Sequence, residues 1–364
     1  MKKKTTTICL AVISLVSFAQ DPGIQLQNLP LKNLSYIPSK SFTSLSYTGS
    51  DSLSFYTSRI ASSKGFYISK FEVTNKEYRE FVLYVKDSAA HSLLNHYKKG
   101  TNRIDWSRRI NWDDPLLDPL MLSAEEKIFG KRSIHTDRIV YALDLSGQQE
   151  LISIYPDTLV WMNDFAYSYN EPLVKKYFSG PVYDNYPVVG INLKQAMAFC
   201  QWKSSQMNKL LKQKGSEYEL VLKLPTNTEW EAAAAGENNN YNLFSSGRGY
   251  NSNFGTITDR NGFMVKDFND DGYFYTNPVN HYPPGSYGLY NIKGNVAEWT
   301  SDAAAKIMEA DERKELNESF IAKGGGWDSN PFYLQAGTCR FFRAEAAHSY
   351  LGFRYVVYVI MKQE

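Results

Sequence analysis

Three shortages in this 364-residue chain exclude whole classes of protein. With only three cysteines, it is not a small secreted scaffold held together by disulfides. A formal net charge of +2 is too small to indicate a nucleic-acid-binding protein. No run after the amino-terminal segment is long and apolar enough to cross a membrane as a helix. Aromatic residues, by contrast, make up 15% of the chain, so even its loops can bury large areas.

Residues 1–19 have the three parts of an export signal. Residues 2–4 are lysines, residues 8–18 are mostly apolar, and Ser17 and Ala19 form a small-x-small cleavage site. Cys9 stands at the front of the apolar run rather than at its end, so the pattern of lipoprotein processing is missing. We therefore expect the mature chain to be exported.

Removal of this signal would leave Cys200 and Cys339 as the remaining cysteines. An oxidising compartment would allow one disulfide between them, although the sequence does not show that they meet. Two buried thiols in apolar surroundings are the favoured alternative. No histidine stands beside either cysteine in the sequence, so a cysteine nucleophile is poorly supported.

Beyond residue 60 the sequence repeats a pattern of a strand followed by a capped helix. Residues 20–60 lack periodicity and are interpreted as an extended arm with one short strand, and residues 61–364 are predicted to form one domain. The repeated pattern predicts an α+β domain, since each helix start carries a cap. The three units are residues 65–73 with Thr74 and Glu77, residues 186–191 with Asn192 and Gln195, and residues 218–224 with Thr226 and Glu229.

Residues 88–180 are charged and irregular and are interpreted as an insertion into this domain. Aromatic residues there, such as Trp106 and Trp161, are interleaved with acids and amides. Such a mixture suits a protein–protein surface. Ordinary core packing of the same rings is the alternative, and the sequence leaves both open.

The segment 288–299, Gly288-Leu-Tyr-Asn-Ile-Lys-Gly-Asn-Val-Ala-Glu-Trp299, is dense in residues with special backbone or ligand roles. Its glycines allow positive φ at sharp turns. Asn291 and Glu298 offer side-chain oxygens, and the carbonyls of Gly294 and Val296 can converge between them. This mixed set of oxygens suits a hard cation, calcium above all. A tight turn anchored by a buried tryptophan is the simpler alternative.

A second set of oxygen donors occurs in the loop 236–284, which is rich in Asn, Gly, Asp and Tyr. So long a loop inside a compact domain is unusual unless a ligand or metal holds it. Asn253 and Asp271 offer side chains, and Phe254 and Tyr273 offer carbonyls. Solvated acids at turns are the simpler alternative here too.

Six motifs between residues 63 and 357 together resemble the formylglycine-generating-enzyme (sulfatase-modifying factor) fold family. The resemblance implies a loop-rich α+β domain related to the C-type lectin fold and stabilised by two calcium ions. It implies that Asn253, Phe254, Asp271 and Tyr273 hold one ion, and that Asn291, Gly294, Val296 and Glu298 hold the other. In chain order the motifs are Phe71-Glu-Val-Thr-Asn75, Tyr186-Pro-Val-Val-Gly190, Leu224-Pro-Thr-Asn-Thr-Glu-Trp230, Gly288 to Trp299, Lys323-Gly-Gly-Gly-Trp327 and Gly352-Phe-Arg354.

The reaction centre of that family departs from the pattern in this chain. Catalytic members place two cysteines after the Lys-Gly-Gly motif, where they bind copper and activate oxygen. Counted from Lys323, the same places hold Ser329 and Leu334. A hydroxyl and an alkyl group cannot replace two soft thiolates. The resemblance therefore implies a protein that is not an enzyme.

A narrower resemblance covers the insertion and the segment that follows it. Tyr155-Pro-Asp-Thr-Leu-Val-Trp161, residues 164–172 and Tyr177-Phe-Ser-Gly180 look like the GldK/PorK proteins of the type IX secretion and gliding-motility machinery. This implies a structural subunit that forms a periplasmic ring with a GldN/PorN-type partner near the outer membrane. A glycan- or peptide-binding lectin-like module using the Tyr- and Trp-rich loops is an alternative, and a divergent oxidase is another.

Overall fold

The computed structural model describes residues 32–48, 55–127, 130–165, 170–236, 257–258, 264–265, 273–306 and 318–362, so the predicted export signal lies outside the described residues. The described strands, in chain order, are β1 (Leu34–Ile37), β2 (Lys40–Thr48), β3 (Phe55–Ser63), β4 (Phe66–Ser69), β5 (Val140–Leu145), β6 (Gln148–Ser153), β7 (Tyr218–Lys223), β8 (Ile257–Thr258), β9 (Met264–Val265), β10 (Ala297–Ala303), β11 (Ser319–Lys323), β12 (Arg340–Arg343), β13 (Leu351–Gly352) and β14 (Val356–Met361).

Two four-stranded sheets form the framework. The first has the order β1-β4-β14-β7 with antiparallel neighbours throughout. The second has the order β12-β11-β10-β13, in which β10 and β13 are parallel and the other neighbours antiparallel. The other described strands form the two-stranded pairs β2–β3, β5–β6 and β8–β9. With its helices, the protein is a mixed α/β fold, as the strand-and-helix pattern predicts at that level.

The helices begin where the capping residues predict. None of the described helices has the length and apolar character needed to span a bilayer. At the start of one of them, the Asn192 Oδ1 accepts from the N–H of Gln195 at 2.9 Å, and the Gln195 side chain accepts from the N–H of Asn192 at 2.9 Å. Thr226 and Glu229 form the same reciprocal capping box. The helices are α1 (Asn75–Leu93), α2 (Val160–Asn163), α3 (Glu171–Lys176), α4 (Leu193–Gln213) and α5 (Asn227–Ala234).

Only half of the predicted capping box forms at α1. Thr74 Oγ1 accepts from the N–H of Glu77 at 3.2 Å, so Thr74 is the N-cap. The Glu77 carboxylate accepts instead from Nζ of Lys203 on α4. A charge-assisted bond to a neighbouring helix has thus replaced the bond that the local pattern predicts.

Aromatic rings tie the helices to the sheets in the core. Tyr78 of α1 stacks on Phe199 of α4 with ring centroids 5.6 Å apart. Trp299 of β10 is fully buried, and its indole N–H donates to the Ile191 carbonyl at 2.9 Å. Because aromatic side chains bury about 150–250 Å² each, these contacts dominate the stability of the core. Trp299 thus anchors the end of the segment 288–299 in the core.

The structure differs from the expected arm over the described part of residues 20–60. Three strands occur there rather than one, and β1 pairs with β4 as the edge of the first sheet. The pairing runs from Leu34 opposite Ser69 to Ile37 opposite Phe66. The partner of β1 lies beyond the segment, whereas β2 and β3 pair with each other.

The segment 88–180 contains the β5–β6 hairpin and the short helices α2 and α3. Trp161 is buried and contacts Tyr177, with ring centroids 4.7 Å apart, so core packing is the correct alternative for this ring. Trp106 is 46% exposed and stacks on Tyr84 with centroids 5.0 Å apart. The aromatic residues of this segment therefore divide between the core and the surface.

Two buried histidines face each other where α1 ends. His91 and His96 are 3% and 7% exposed, and their Nδ1 atoms lie 3.0 Å apart. The ring centroids are 5.2 Å apart, which is nearly the greatest distance possible for two imidazole rings whose Nδ1 atoms are 3.0 Å apart. The two Nδ1 atoms therefore face each other. Such a pair is stable when one nitrogen carries the proton and the other accepts it. The pKa of His96 is lowered, first by burial and then by the charges of Arg108 and His91. Asp105 and Asp114 act in the opposite direction.

Acidification is therefore expected to destabilise the protein through this pair. In the unfolded chain His96 takes up a proton near pH 6.5, whereas burial and the nearby Arg108 oppose its protonation in the folded protein. The contribution of neutral His96 to stability is therefore complete above about pH 6.5. It is lost as the pH falls from 6.5 towards the lower pKa of His96 in the folded protein. In His96→Gln, the melting temperature should fall by a few degrees less between about pH 7 and pH 5 than in the parent. Thermal unfolding at both pH values measures this, with His135→Gln as the control. An equal fall in melting temperature in the parent and in His96→Gln would contradict the prediction.

Candidate functional site

The segment 288–299 turns sharply several times before it enters β10. Positive φ values occur at Gly288 (67°), Asn291 (45°), Gly294 (84°) and Asn295 (64°). Glycine adopts this region freely, and asparagine tolerates it better than other residues with a side chain. The four positions therefore explain the run of Gly and Asn in the sequence.

Asn291 has a buried side-chain oxygen that is available to a cation. Its side chain is buried, and its Nδ2 donates to Glu72 Oε2 at 3.1 Å and to the Val279 carbonyl at 3.3 Å. Its Oδ1 is buried without a hydrogen-bond partner among the described residues. An unsatisfied buried acceptor costs about 1–3 kcal/mol, so an oxygen-binding cation at this position would remove a real penalty. The geometry of Asn291 fits its predicted role.

Glu298 is held by an arginine fork. Its Oε1 accepts from Arg354 Nη2 at 2.7 Å, and its Oε2 accepts from Arg354 Nε and Trp230 Nε1, each at 2.7 Å. Glu298 and Arg354 are fully buried, so the pair is shielded from water. Glu298 thus acts first as the partner of Arg354, and its role as a cation ligand stays a prediction. The guanidinium also donates to three backbone carbonyls, those of Ser69, Lys70 and Tyr290.

The other predicted ligands are only partly described. Gly294 lies in the turn, where its N–H donates to the Gly324 carbonyl at 2.8 Å, and the side chain of Val296 is buried in an apolar cluster. Of the second predicted quartet, Tyr273 is described, with its ring 4.8 Å from that of His281. No group of three or more His, Cys, Asp or Glu side chains within the described ranges is placed to hold a metal. Asn253, Phe254 and Asp271 lie outside the described residues.

Glu72 is a member of this site that the sequence did not indicate. It is 1% exposed, and its two carboxyl oxygens accept from Asn291 Nδ2 at 3.1 Å and Asn295 Nδ2 at 2.9 Å. Burial raises the pKa of Glu72 to about 8, and Arg354 opposes this rise. The residue stands in the motif Phe71-Glu-Val-Thr-Asn75, and its place inside that motif was the available signal.

A second part of the site lies after β11, where the two cysteine positions of the catalytic pattern meet. Gly325 has a φ of 66°, and a Cβ added there would lie 3.2 Å from both Ser329 Cβ and Leu334 Cδ2. The fold thus brings these two positions together around Gly325. Ser329 Oγ accepts from the N–H of Gly326 at 2.9 Å and donates to Asp328 at 3.2 Å. Ser329 therefore offers a hydroxyl that is already hydrogen-bonded, and Leu334 offers only an alkyl group. Neither side chain suits a copper ion, which selects soft thiolate ligands.

The two described cysteines are not joined to each other. Cys200 is buried in the core, where burial raises the pKa of its thiol. Cys339 is partly exposed, and its Sγ lies 3.5 Å from Nζ of Lys323. The prediction of an apolar setting therefore holds for Cys200 and is wrong for Cys339, which lies beside a buried ammonium group.

Comparison with protein families gives a match over most of the chain. Residues 47–359 match the family model described as the sulfatase-modifying factor enzyme 1-like domain. The chain is 32% identical over 190 residues to a formylglycine-generating enzyme of Thermomonospora curvata, which covers 47% of this chain and 55% of that protein. It is 29% identical over 143 residues to the inactive C-alpha-formylglycine-generating enzyme 2 of Bos taurus, which covers 39% of this chain and 38% of that protein.

These relatives include one protein named as an enzyme and one named as inactive. The matches span 27–55% of the length of the curated formylglycine-generating enzymes from Thermomonospora curvata, Mus musculus and Bos taurus. Among solved structures, PvdO from Pseudomonas aeruginosa is 16% identical with a TM-score of 0.45, over 89% of this chain and 94% of that one.

Proposed function

Because the chain belongs to the family with a sulfatase-modifying factor enzyme 1-like domain, we propose that it is a non-catalytic scaffold subunit of that family. It keeps the family framework and uses its surface to bind a protein partner. The partner is of the GldN/PorN type, in a type IX secretion and gliding-motility complex of the periplasm near the outer membrane. The narrower motifs in the segment 155–180 support this assignment.

The observation that carries the proposal is the side-chain pair around Gly325. Ser329 and Leu334 occupy the converging positions where the catalytic pattern needs two cysteines. Cys339, the partly exposed thiol, contacts Lys323 instead. Without paired thiolates, a soft metal loses the ligands that select it. Retention of the framework together with loss of the thiols favours a binding role over an oxidase.

Co-purification tests this scaffold role. The chain is co-expressed with a GldN/PorN-type protein, and the two are purified through a tag on one of them. We expect a stable hetero-oligomer in size-exclusion chromatography. A strictly monomeric chain without partner would contradict the proposal. Copper binding and oxygen uptake with a cysteine-containing peptide would show instead that the protein is an oxidase.

Two calcium ions are part of the same proposal. The loop 288–299 offers the unsatisfied Oδ1 of Asn291 as a starting ligand, and calcium prefers such mixed amide, carbonyl and carboxylate oxygens. When bound, calcium would supply fixed positive charge that holds loops together; it has no redox role. The proposed ligands are Asn253, Phe254, Asp271 and Tyr273 for one ion, and Asn291, Gly294, Val296 and Glu298 for the other.

Calcium removal is expected to lower the melting temperature by several degrees. A ligand that binds only the folded state stabilises it by about 2.7 kcal/mol at a concentration 100 times its Kd. A calcium chelator should therefore destabilise the parent protein, and re-added calcium should restore it. Asn291→Ala should lower the melting temperature in calcium and reduce the response to the chelator. Asn163→Ala, an exposed asparagine, is the control. An unchanged melting temperature on chelation would refute the calcium sites and leave the fold assignment standing.

A further inference from the structure

A pocket of about 390 Å³ opens between the start of α1 and the first sheet. Phe71 and Thr74 line it from the connection between β4 and α1, and Val279 and Asn280 line it from a loop. Ser329 and Leu334, which mark the thiol-free cleft, do not line it. Pockets of about 300–1,000 Å³ are typical of small-molecule sites, so this one has room for a ligand of one or two rings.

Of the five charged side chains that line this pocket, two acids and two lysines balance each other, and the third acid, Glu72, already accepts hydrogen bonds from Asn291 and Asn295. Glu77 accepts a hydrogen bond from Lys203, which neutralises both. Lys76 and Glu80 line the same pocket with opposite charges. An ionic ligand would therefore meet an attractive and a repulsive group together. The balance favours a ligand without net charge.

Side-chain amides supply the remaining polar surface. Asn33, Asn185 and Asn280 line the pocket from three separate segments of the chain. Each amide can donate and accept hydrogen bonds, which matches hydroxyl groups that also do both. Phe71 and Tyr355 add aromatic surface, and Phe71 packs on Tyr290 with ring centroids 4.6 Å apart. A ring with polar edges and an apolar face fits such a lining, because hydroxyls meet the amides while C–H groups meet the aromatic surface.

We propose that this pocket binds a neutral saccharide unit. The ligand is a pyranose, either free or at the end of a glycan, held by the amides of Asn33 and Asn280 at the mouth and by the aromatic surface beside them. This activity goes beyond the scaffold role and does not depend on it. The floor is closed by Glu72, whose two oxygens already accept from Asn291 and Asn295.

Ligand-detected saturation-transfer NMR with the full mature chain tests the proposal. The probes are the methyl glycosides of glucose, galactose, mannose and N-acetylglucosamine, with zwitterionic glycine and cationic lysine as ionic comparison ligands. We expect at least one glycoside to bind with a millimolar Kd. In Asn33→Ala/Asn280→Ala its affinity should fall about tenfold or more, because two hydrogen bonds are lost. Both residues are exposed, so the fold should survive; Asn102→Ala, an exposed asparagine elsewhere, is the matched control.

Each outcome decides the question. Glycoside binding that the double variant loses and Asn102→Ala keeps supports the pocket. Binding that the double variant retains would place the sugar elsewhere and overturn the proposal. Binding of glycine or lysine alone, or of none of the probes, would overturn it as well. Co-purification of the protein partner is measured separately, so failure here is distinguishable from failure of the scaffold role.

Discussion

Arg354→Met is expected to lower the free energy of unfolding by at least about 3–5 kcal/mol, the cost of removing one partner of a buried ion pair. Glu298 would keep a buried negative charge without its guanidinium partner. The carbonyls of Ser69, Lys70 and Tyr290 would also lose their donor, which adds to the penalty. Because whole proteins are stable by only about 5–15 kcal/mol, little folded protein should remain.

Urea denaturation followed by circular dichroism measures this effect, and soluble yield gives a first indication. Arg343→Met is the matched control, since Arg343 pairs with Glu318 at the surface, where both side chains are more than 70% exposed. Such a pair contributes about 0–1 kcal/mol. Arg354→Lys should lie between the two, because lysine keeps the charge and lacks the planar fork. An Arg354→Met protein as stable as Arg343→Met would show that the buried fork is dispensable.

The elements that could be predicted from sequence are those whose signals are local. Asn192 with Gln195 and Thr226 with Glu229 form their capping boxes within three residues, so short patterns are sufficient. The positive φ at Gly294 follows in the same way from residue type. At these positions, local preference and the final fold agree.

The interactions that escaped prediction join distant parts of the chain. Glu72 and Asn291 are 219 residues apart in sequence, and no local spacing connects them. Glu77 shows the same effect, since its carboxylate leaves the expected cap for Lys203, 126 residues away. A carboxyl group in or near the interior needs hydrogen-bond donors, and the fold can supply them from any sequence distance, because a buried polar group without a partner is costly. The partners of Glu72 and Glu77 therefore required the structure.

The cation ligands predicted in the segment 288–299 could be predicted only in part. The sequence indicated Asn291 as an oxygen donor, and its Oδ1 is indeed buried without a partner among the described residues. The sequence did not indicate that Glu298 is engaged by Arg354, although both residues stood in quoted motifs. Residue type predicts which atoms can bind a cation. Only the packing decides which of those atoms are already used.

A double-mutant cycle on Lys323 and Glu231 should separate the effect of pairing from the effect of burial. Their Nζ and Oε1 atoms are 3.0 Å apart, and their side chains are 0% and 1% exposed. Lys323→Met and Glu231→Gln should each lower the free energy of unfolding by about 3–5 kcal/mol, since each leaves one buried charge without its partner.

The double variant should cost clearly less than the sum of the two single changes, because it buries no unpaired charge. Ser44 Oγ and Asn227 Nδ2 bond to different oxygens of the Glu231 carboxylate, and glutamine at position 231 keeps one acceptor oxygen for one of these two donors. Urea denaturation of the parent, both single variants and the double variant gives the coupling energy. If the single costs simply add, the two charges do not stabilise each other, and the ammonium group beside Cys339 must then be held in place by its other contacts.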